Sequence, residues 1–184
     1  ALSLSIDDQK KWKTPNQAFK EWIYALEKLG VLVFQTQGGV WGVTEDEMWG
    51  ASIYEPLFPI VVINGRLSPT AKIFTLMHEY THLALRTSGI CDMDEREQVE
   101  VFCNRVAGEI LVPASDLLDV WSHLSINEEP ADDQIKMLAK RYSVSHEAVV
   151  RRLLILGQVS KEFYQTKRDQ YLQEISDIRE ARKA

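Results

Sequence analysis

Cysteine is nearly absent: Cys91 and Cys103 are the only two in 184 residues, so no disulfide framework holds this chain together. Long apolar runs are missing as well. No stretch nears the roughly 20 apolar residues that a membrane helix requires, and the opening Ala1 to Ile6 is too short for the apolar part of a signal peptide. The resulting expectation is a cytoplasmic protein with no membrane partner. Positive charge is in deficit, with 21 Lys plus Arg against 27 Asp plus Glu and a net charge of −6. That excludes broad attraction to phosphate backbones or anionic lipid. What is present, 45% hydrophobic and 26% charged residues, is the composition of an ordinary folded domain. Ala1 in place of an initiating Met reads as a processed or truncated piece of a longer protein.

Helical spacing opens the chain. Thr14-Pro15 is a cap followed by Pro at the first helical position, and Ala18, Phe19, Trp22, Ile23, Leu26 and Leu29 recur on one face until Gly30. The period then changes. Val31 to Phe34, Trp41 to Val43, Trp49 to Tyr54 and Ile60 to Ile63 are short β-branched or aromatic runs broken by Gly38-Gly39, Pro56 and Pro59, which predicts a small, mainly antiparallel sheet. Asn64-Gly65 signals a turn, and Ser68-Pro69 launches a helix to about Leu85. Helices follow over Glu95 to Leu111, Ser115 to Leu124, Asp132 to Tyr142, Ser145 to Leu156 and Ser160 to Arg182. The order predicts an α+β fold: a small sheet packed with one special helix, then a mostly helical half. The polar, Pro-containing stretch Ser125 to Asp133 sets the expected boundary, with a core over 1–125 and a helical subdomain over 126–184.

The helix begun at Ser68 contains His78-Glu79-Tyr80-Thr81-His82, an H-E-x-x-H motif. Residues four apart share a helix face, so both imidazoles can reach one zinc ion. Glu79 beside the first ligand is placed to take a proton from an attacking water. A hydrolytic zinc needs a third protein ligand and an open position. The acidic run after Cys91 offers Asp92, Asp94, Glu95, Glu97 and Glu100. Glu100 is favoured because Cys103, Asn104 and Ala107 share its face and are small enough to let the two helices approach; Glu97 is the reserve. Asn104, one turn on, can hold a ligating imidazole by its outer nitrogen. His123 and His146 are isolated and read as ordinary histidines.

These stretches resemble a known family. His78-Glu79-Tyr80-Thr81-His82, then Glu100-Val101-Phe102-Cys103-Asn104-Arg105-Val106-Ala107, then Ile110-Leu111-Val112-Pro113, are similar to the ImmA/IrrE family of zinc metallo-endopeptidases, whose pattern is H-E-x-x-H, E-x-x-(A/C)-(N/D) and an apolar run ending in Pro. Pro59 to Asn64 and Phe74-Thr75-Leu76 extend the likeness upstream. The resemblance implies a gluzincin-type hydrolase of bacterial or phage origin, with zinc (manganese as the alternative ion) on His78, His82 and Glu100 and with Glu79 as catalytic base. It further implies a helix-turn-helix transcriptional repressor as the protein substrate. Two departures stand out: Phe102 occupies a position where many members carry a second Glu, and no repressor-like domain precedes the motif in this sequence.

Weaker signals point elsewhere. Leu138 to Ser145, running on to Leu153, reads as helix, tight turn, helix with Lys136, Lys140, Arg141, Arg151 and Arg152 making it locally basic, so DNA is the lesser partner expectation. The rival function is therefore a non-catalytic regulatory or DNA-binding module with a structural metal. Tyr164, Tyr171, Ile175 and Ile178 form one stripe on the last helix. Tyr54, Tyr142 and His146 are candidates to stabilise an oxyanion. A substrate strand is expected alongside Pro59 to Asn64, where Pro59 suits a sheet edge; the alternative is that Ile60 to Ile63 is covered on both faces.

Overall fold

The computed structural model describes residues 2, 4–37, 42–86, 93–124 and 129–181. A short helix α1 (Ile6–Gln9) starts from a reciprocal cap between Ser5 and Asp8. Helix α2 (Pro15–Glu27) is capped by Thr14, whose hydroxyl accepts the Gln17 N–H at 3.1 Å. Its exit relies on Gly30, whose φ of 84° is open to glycine at no steric cost and lets the Val31 N–H return to the Leu26 carbonyl at 3.2 Å. Strands β1 (Leu32–Gln35), β2 (Gly50–Ile53) and β3 (Ile60–Ile63) follow, then α3 (Pro69–Leu85) and α4 (Met93–Leu111). Four more helices complete the order: α5 (Ala114–Ser122), α6 (Asp132–Tyr142), α7 (His146–Ile155) and α8 (Lys161–Ala181). This is the expected α+β arrangement of small sheet and mostly helical second half.

The sheet order is β1-β3-β2, and the sheet is mixed where a mainly antiparallel one was expected. β2 pairs antiparallel with β3 through the loop 54–59, but β1 pairs parallel with β3 because the chain passes through β2 before returning. Ile60 to Ile63 is consequently the central strand. The expected docking edge at Pro59 to Asn64 is therefore corrected: both sides of β3 are already paired, and the free edges belong to β1 and β2. Pro59 is tolerated because it precedes the strand and only its carbonyl is used, accepting from Leu32 N–H at 2.8 Å. Of the expected run Trp41 to Val43, Val43 lies outside any strand because its carbonyl accepts from Asn64 Nδ2 at 3.2 Å, while Trp41 and Gly38-Gly39 lie outside the described residues.

The inner sheet face, with Val61 and Ile63 fully buried, packs with α2 and α3 around Trp22, Leu26, Ile73, Leu76 and Met77. On the outer face the register brings together Leu32, Phe34, Ala51, Ile53, Ile60 and Val62, all apolar, of which Leu32, Phe34 and Ile53 are exposed. One buried cluster continues from α2 through Leu111, Leu117, Ile135, Tyr142 and Leu153 to Phe163. Among the described residues no helix is long and apolar enough to cross a membrane.

Asp116 ties three segments together, accepting from Lys10, from both Arg141 Nε and Nη2, and from the Tyr142 hydroxyl at 2.8 Å. Burial alone would raise its pKa, but these donors outweigh burial and hold the carboxyl at about 2 against a usual 3.8. A depressed folded pKa gives stability that is present above pH 4 and fades as pH falls toward 2. Asp116→Asn is predicted to cost about 2 kcal/mol at pH 7. Urea denaturation at a series of pH values checks this: the gap between variant and parent should close between pH 4 and 2, and a pH-independent gap refutes the electrostatic origin.

Candidate metal centre

Helix α3 is fixed at both ends. Ser68 accepts the Ala71 N–H at 3.3 Å with Pro69 behind it, and Arg86 takes the left-handed conformation at φ 54°, stopping the helix one turn after His82. Ile73, Leu76 and Met77 are buried and set the helix rotation, which turns His78 and His82 toward α4. Their ring centroids stand 4.8 Å apart. From α4, Cys103 and Ala107 lie buried on the facing side, and Glu100 and Asn104, one turn apart, reach across.

Three donor atoms converge. His78 Nε2 lies 3.0 Å from His82 Nε2 and 3.1 Å from Glu100 Oε2, and His82 Nε2 lies 3.2 Å from Glu100 Oε1. Donors about 2.0–2.1 Å from a tetrahedral zinc stand about 3.3 Å from one another, so this triangle fits such an ion closely. Asn104 settles the tautomer. Its Oδ1, an acceptor, is 3.0 Å from His78 Nδ1, so that nitrogen carries the proton and donates, leaving Nε2 with its bare lone pair turned to the centre. Two imidazoles and a carboxylate brought this close need a shared proton or a cation between them.

The structure thus brings together four of the residues singled out in the sequence: His78, His82, Glu100 and Asn104. Glu79, on α3 and 9% exposed, lies against the start of β2, where Glu79 Oε1 would be 3.1 Å from a Cβ built on Gly50. Glu97 is exposed and outside the triangle. Cys91 and Asp92 lie outside the described residues, and the side chains of Asp94 and Glu95 are likewise not described. Cys103 stands outside the converging donor set. Burial, with Glu100 and Glu79 nearby, pushes its thiol up to about 11.

Of the oxyanion candidates, the Tyr142 hydroxyl is committed to Asp116 and His146 lies against Tyr171 at 5.8 Å. Tyr54 sits at the end of β2 with the Arg86 guanidinium 5.9 Å from its ring. Of the basic residues of the α6–α7 pair, Arg141 pairs with Asp116, Arg151 with Glu147, Arg152 with Glu109 and Lys136 with Asp133, while Lys136, Lys140 and Arg151 remain exposed. Two contributors escaped sequence reasoning. Asn64, expected only to mark a turn, is buried and donates through Nδ2 to the carbonyls of Val43, Thr44 and Met48 at 3.2, 3.0 and 2.8 Å, shaping the approach to β2. Gly50 left no periodic or motif signal at all.

Comparison with known proteins places the chain in a family. The family model for peptidase M78, described as the IrrE N-terminal-like domain, matches residues 26–154. Among solved structures, a Mycobacterium tuberculosis transcriptional regulator is similar at a TM-score of 0.52 and 16% identity, over 80% of this chain and 43% of that one. At that identity the likeness concerns the fold, and the chain spans less than half the length of that regulator. No curated protein matches.

The metal centre generates a graded prediction. His78→Ala, His82→Ala and Glu100→Ala should each weaken zinc binding severely, and Glu97→Ala should leave it unchanged. Asn104→Ala should weaken it by about 10–100-fold through loss of the His78 tautomer, with Asn104→Asp largely retaining it. Competition against a chromophoric chelator measures all six; parental affinity in Asn104→Ala would sink the tautomer argument.

Proposed function

The chain belongs to the IrrE N-terminal-like peptidase family, and on that footing we propose that it is a zinc-dependent endopeptidase acting on a protein substrate. The observation that carries this reading is the convergence of His78 Nε2, His82 Nε2 and Glu100 within 3.0–3.2 Å, with Glu79, the residue after His78 on α3, nearly buried. A structural metal site has no use for that second carboxylate. A zinc ion held there supplies Lewis acidity, which lowers the pKa of a water to near 7 and polarises a carbonyl. Glu79 takes the proton of the attacking water on a carboxylate oxygen and passes it to the departing amine nitrogen. His78, His82 and Glu100 hold the ion, and Asn104 keeps the His78 lone pair aimed at it.

The free edge of β2 is suited to hold the substrate extended. The Asn64 N–H donates to the Trp49 carbonyl at 2.9 Å. In an antiparallel ladder alternate residues bond to the same neighbour, so Ala51 and Ile53 also bond to β3 while Gly50 and Ser52 turn their N–H and C=O groups to the free side. An incoming strand would bond there. Every second side chain of that strand would continue the apolar outer face at Ala51 and Ile53, which favours a substrate with apolar residues at alternate positions. A transcriptional repressor in the cytoplasm is the substrate we propose on the strength of the resemblance in motif.

The test is Glu79→Gln, which keeps side-chain size while removing the basic oxygen. Fold and zinc content should persist, with proteolysis falling by roughly 10²–10⁴-fold. Mass spectrometry of proteins lost in the presence of the parent but not of Glu79→Gln identifies the substrate. Parental turnover in the Gln variant excludes this mechanism.

A further inference from the structure

Gly50 is a glycine without a backbone reason. The positive-φ glycines among the described residues are Gly30 and Gly157, so the conformation at Gly50 is one that a side chain tolerates. What it does not tolerate is the neighbour. A Cβ on Gly50 would stand 2.5 Å from Thr75 Cγ2, 3.0 Å from Glu79 Cγ and 3.1 Å from Glu79 Oε1, well inside the usual contact of about 3.5–4.0 Å between carbon atoms. Thr75 and Glu79 are one turn apart on the same face of α3, so β2 crosses that helix over the catalytic glutamate.

The strand is tethered next to Gly50. The Asn64 N–H holds the Trp49 carbonyl at 2.9 Å and the Asn64 amide holds the Met48 carbonyl at 2.8 Å, so a retreat of Gly50 from α3 would strain both bonds. Thr75 is 4% exposed, packed in the core and stiff at its branched Cβ. Glu79 has more rotatable bonds than Thr75, so its carboxylate is the easier of the two to displace. A side chain at position 50 would therefore be relieved at the expense of Glu79.

We propose that Gly50 is a positioning residue for Glu79: the bare backbone of β2 is the wall against which the carboxylate rests, and any side chain there displaces it from the His78, His82 and Glu100 centre. This rests on the peptidase reading for its consequence, but the displacement itself does not. Gly50→Ala and the double variant Gly50→Ala/Thr75→Ser separate packing from positioning, because serine removes the methyl that makes the closest contact and leaves the pressure on Glu79. The probe is acetohydroxamic acid, a zinc chelator with a proton that Glu79 can accept, measured on zinc-loaded protein with Glu79→Gln as reference.

Both Gly50 variants should keep their zinc. Gly50→Ala should melt lower and bind the hydroxamate about 10-fold or more weakly, as Glu79→Gln does. The double variant should recover the melting temperature but not the affinity. Recovery of both together overturns the proposal, since Gly50 would then serve packing alone. A hydroxamate affinity in Glu79→Gln equal to the parent's would count against the peptidase reading instead. The crystal structure of the zinc-loaded double variant then decides the remaining question, because a Glu79 carboxylate left where it stands in the parent overturns the positioning role regardless of activity.

Discussion

Close approach to α3 is the constraint on which the candidate centre depends. Two neighbours must come near the helix that carries His78 and His82, and each does so where its own side chains are small. On one side α4 presents Cys103 and Ala107, both fully buried, so that Glu100 spans the two imidazoles and Asn104 reaches the outer nitrogen of His78 at 3.0 Å. On the other side β2 presents Gly50, over which Thr75 and Glu79 fit with no space for a methyl group. A helix approached at ordinary side-chain distance would still bury its apolar face but could not share a ligand set across the interface. The chemistry is thus set by packing before it is set by charge.

Charge then finishes what packing begins. Glu79 and Glu100 bring two carboxylates into one small region along with two imidazoles, one of them shown by Asn104 to face inward with a lone pair. Nearby, the Cys103 thiol is pushed up to about 11 by burial and by both carboxylates, a sign that the region resists a further negative charge. A divalent cation matches this arrangement in sign and size. Glu100 would neutralise part of that charge, while Glu79 stands outside the triangle.

How much of this was legible in the sequence depended on range. Helices α2 and α3 declared themselves through Thr14-Pro15 and Ser68-Pro69 caps with an apolar 3.6 period, both local signals. The H-E-x-x-H pair is local too, since a single turn of helix juxtaposes its histidines. Glu100 needed one more step, the small residues on its face of α4, and the structure brings it to both imidazoles. The order of the sheet was not legible in this way. Four apolar residues at Ile60 to Ile63 carried the mark of a strand covered on both sides, yet Pro59 beside them suggested an edge, and only the pairing of β1 with β3 resolves the conflict. Gly50 and Asn64 act on residues that are distant in sequence, Thr75 and Glu79 in one case and Val43 to Met48 in the other. A single sequence has no means of marking such contacts.

The α6–α7 pair shows how a motif-like pattern can be used as scaffolding. Its turn is sharp, with Ser143 in the left-handed conformation at φ 56°, and its helices lie in the order that a DNA reader would use. Two of its cations, however, turn into the protein. Arg152, buried, donates from Nε to the Val112 carbonyl at 3.0 Å and pairs with Glu109, while Arg141 clasps Asp116 alongside Lys10. Val112 and Glu109 belong to the end of α4 and Asp116 to the start of α5, so these contacts anchor the far end of the helix that carries Glu100 and Asn104. Buried ion pairs of this kind contribute little net stability but penalise any arrangement in which one partner is left alone. Such a penalty opposes any slide of α4 along α3, and a slide of one turn, about 5.4 Å, would carry Glu100 away from both imidazoles. Two of the five basic residues that suggested nucleic acid, Arg141 and Arg152, thus help to hold Glu100 in register with His78 and His82.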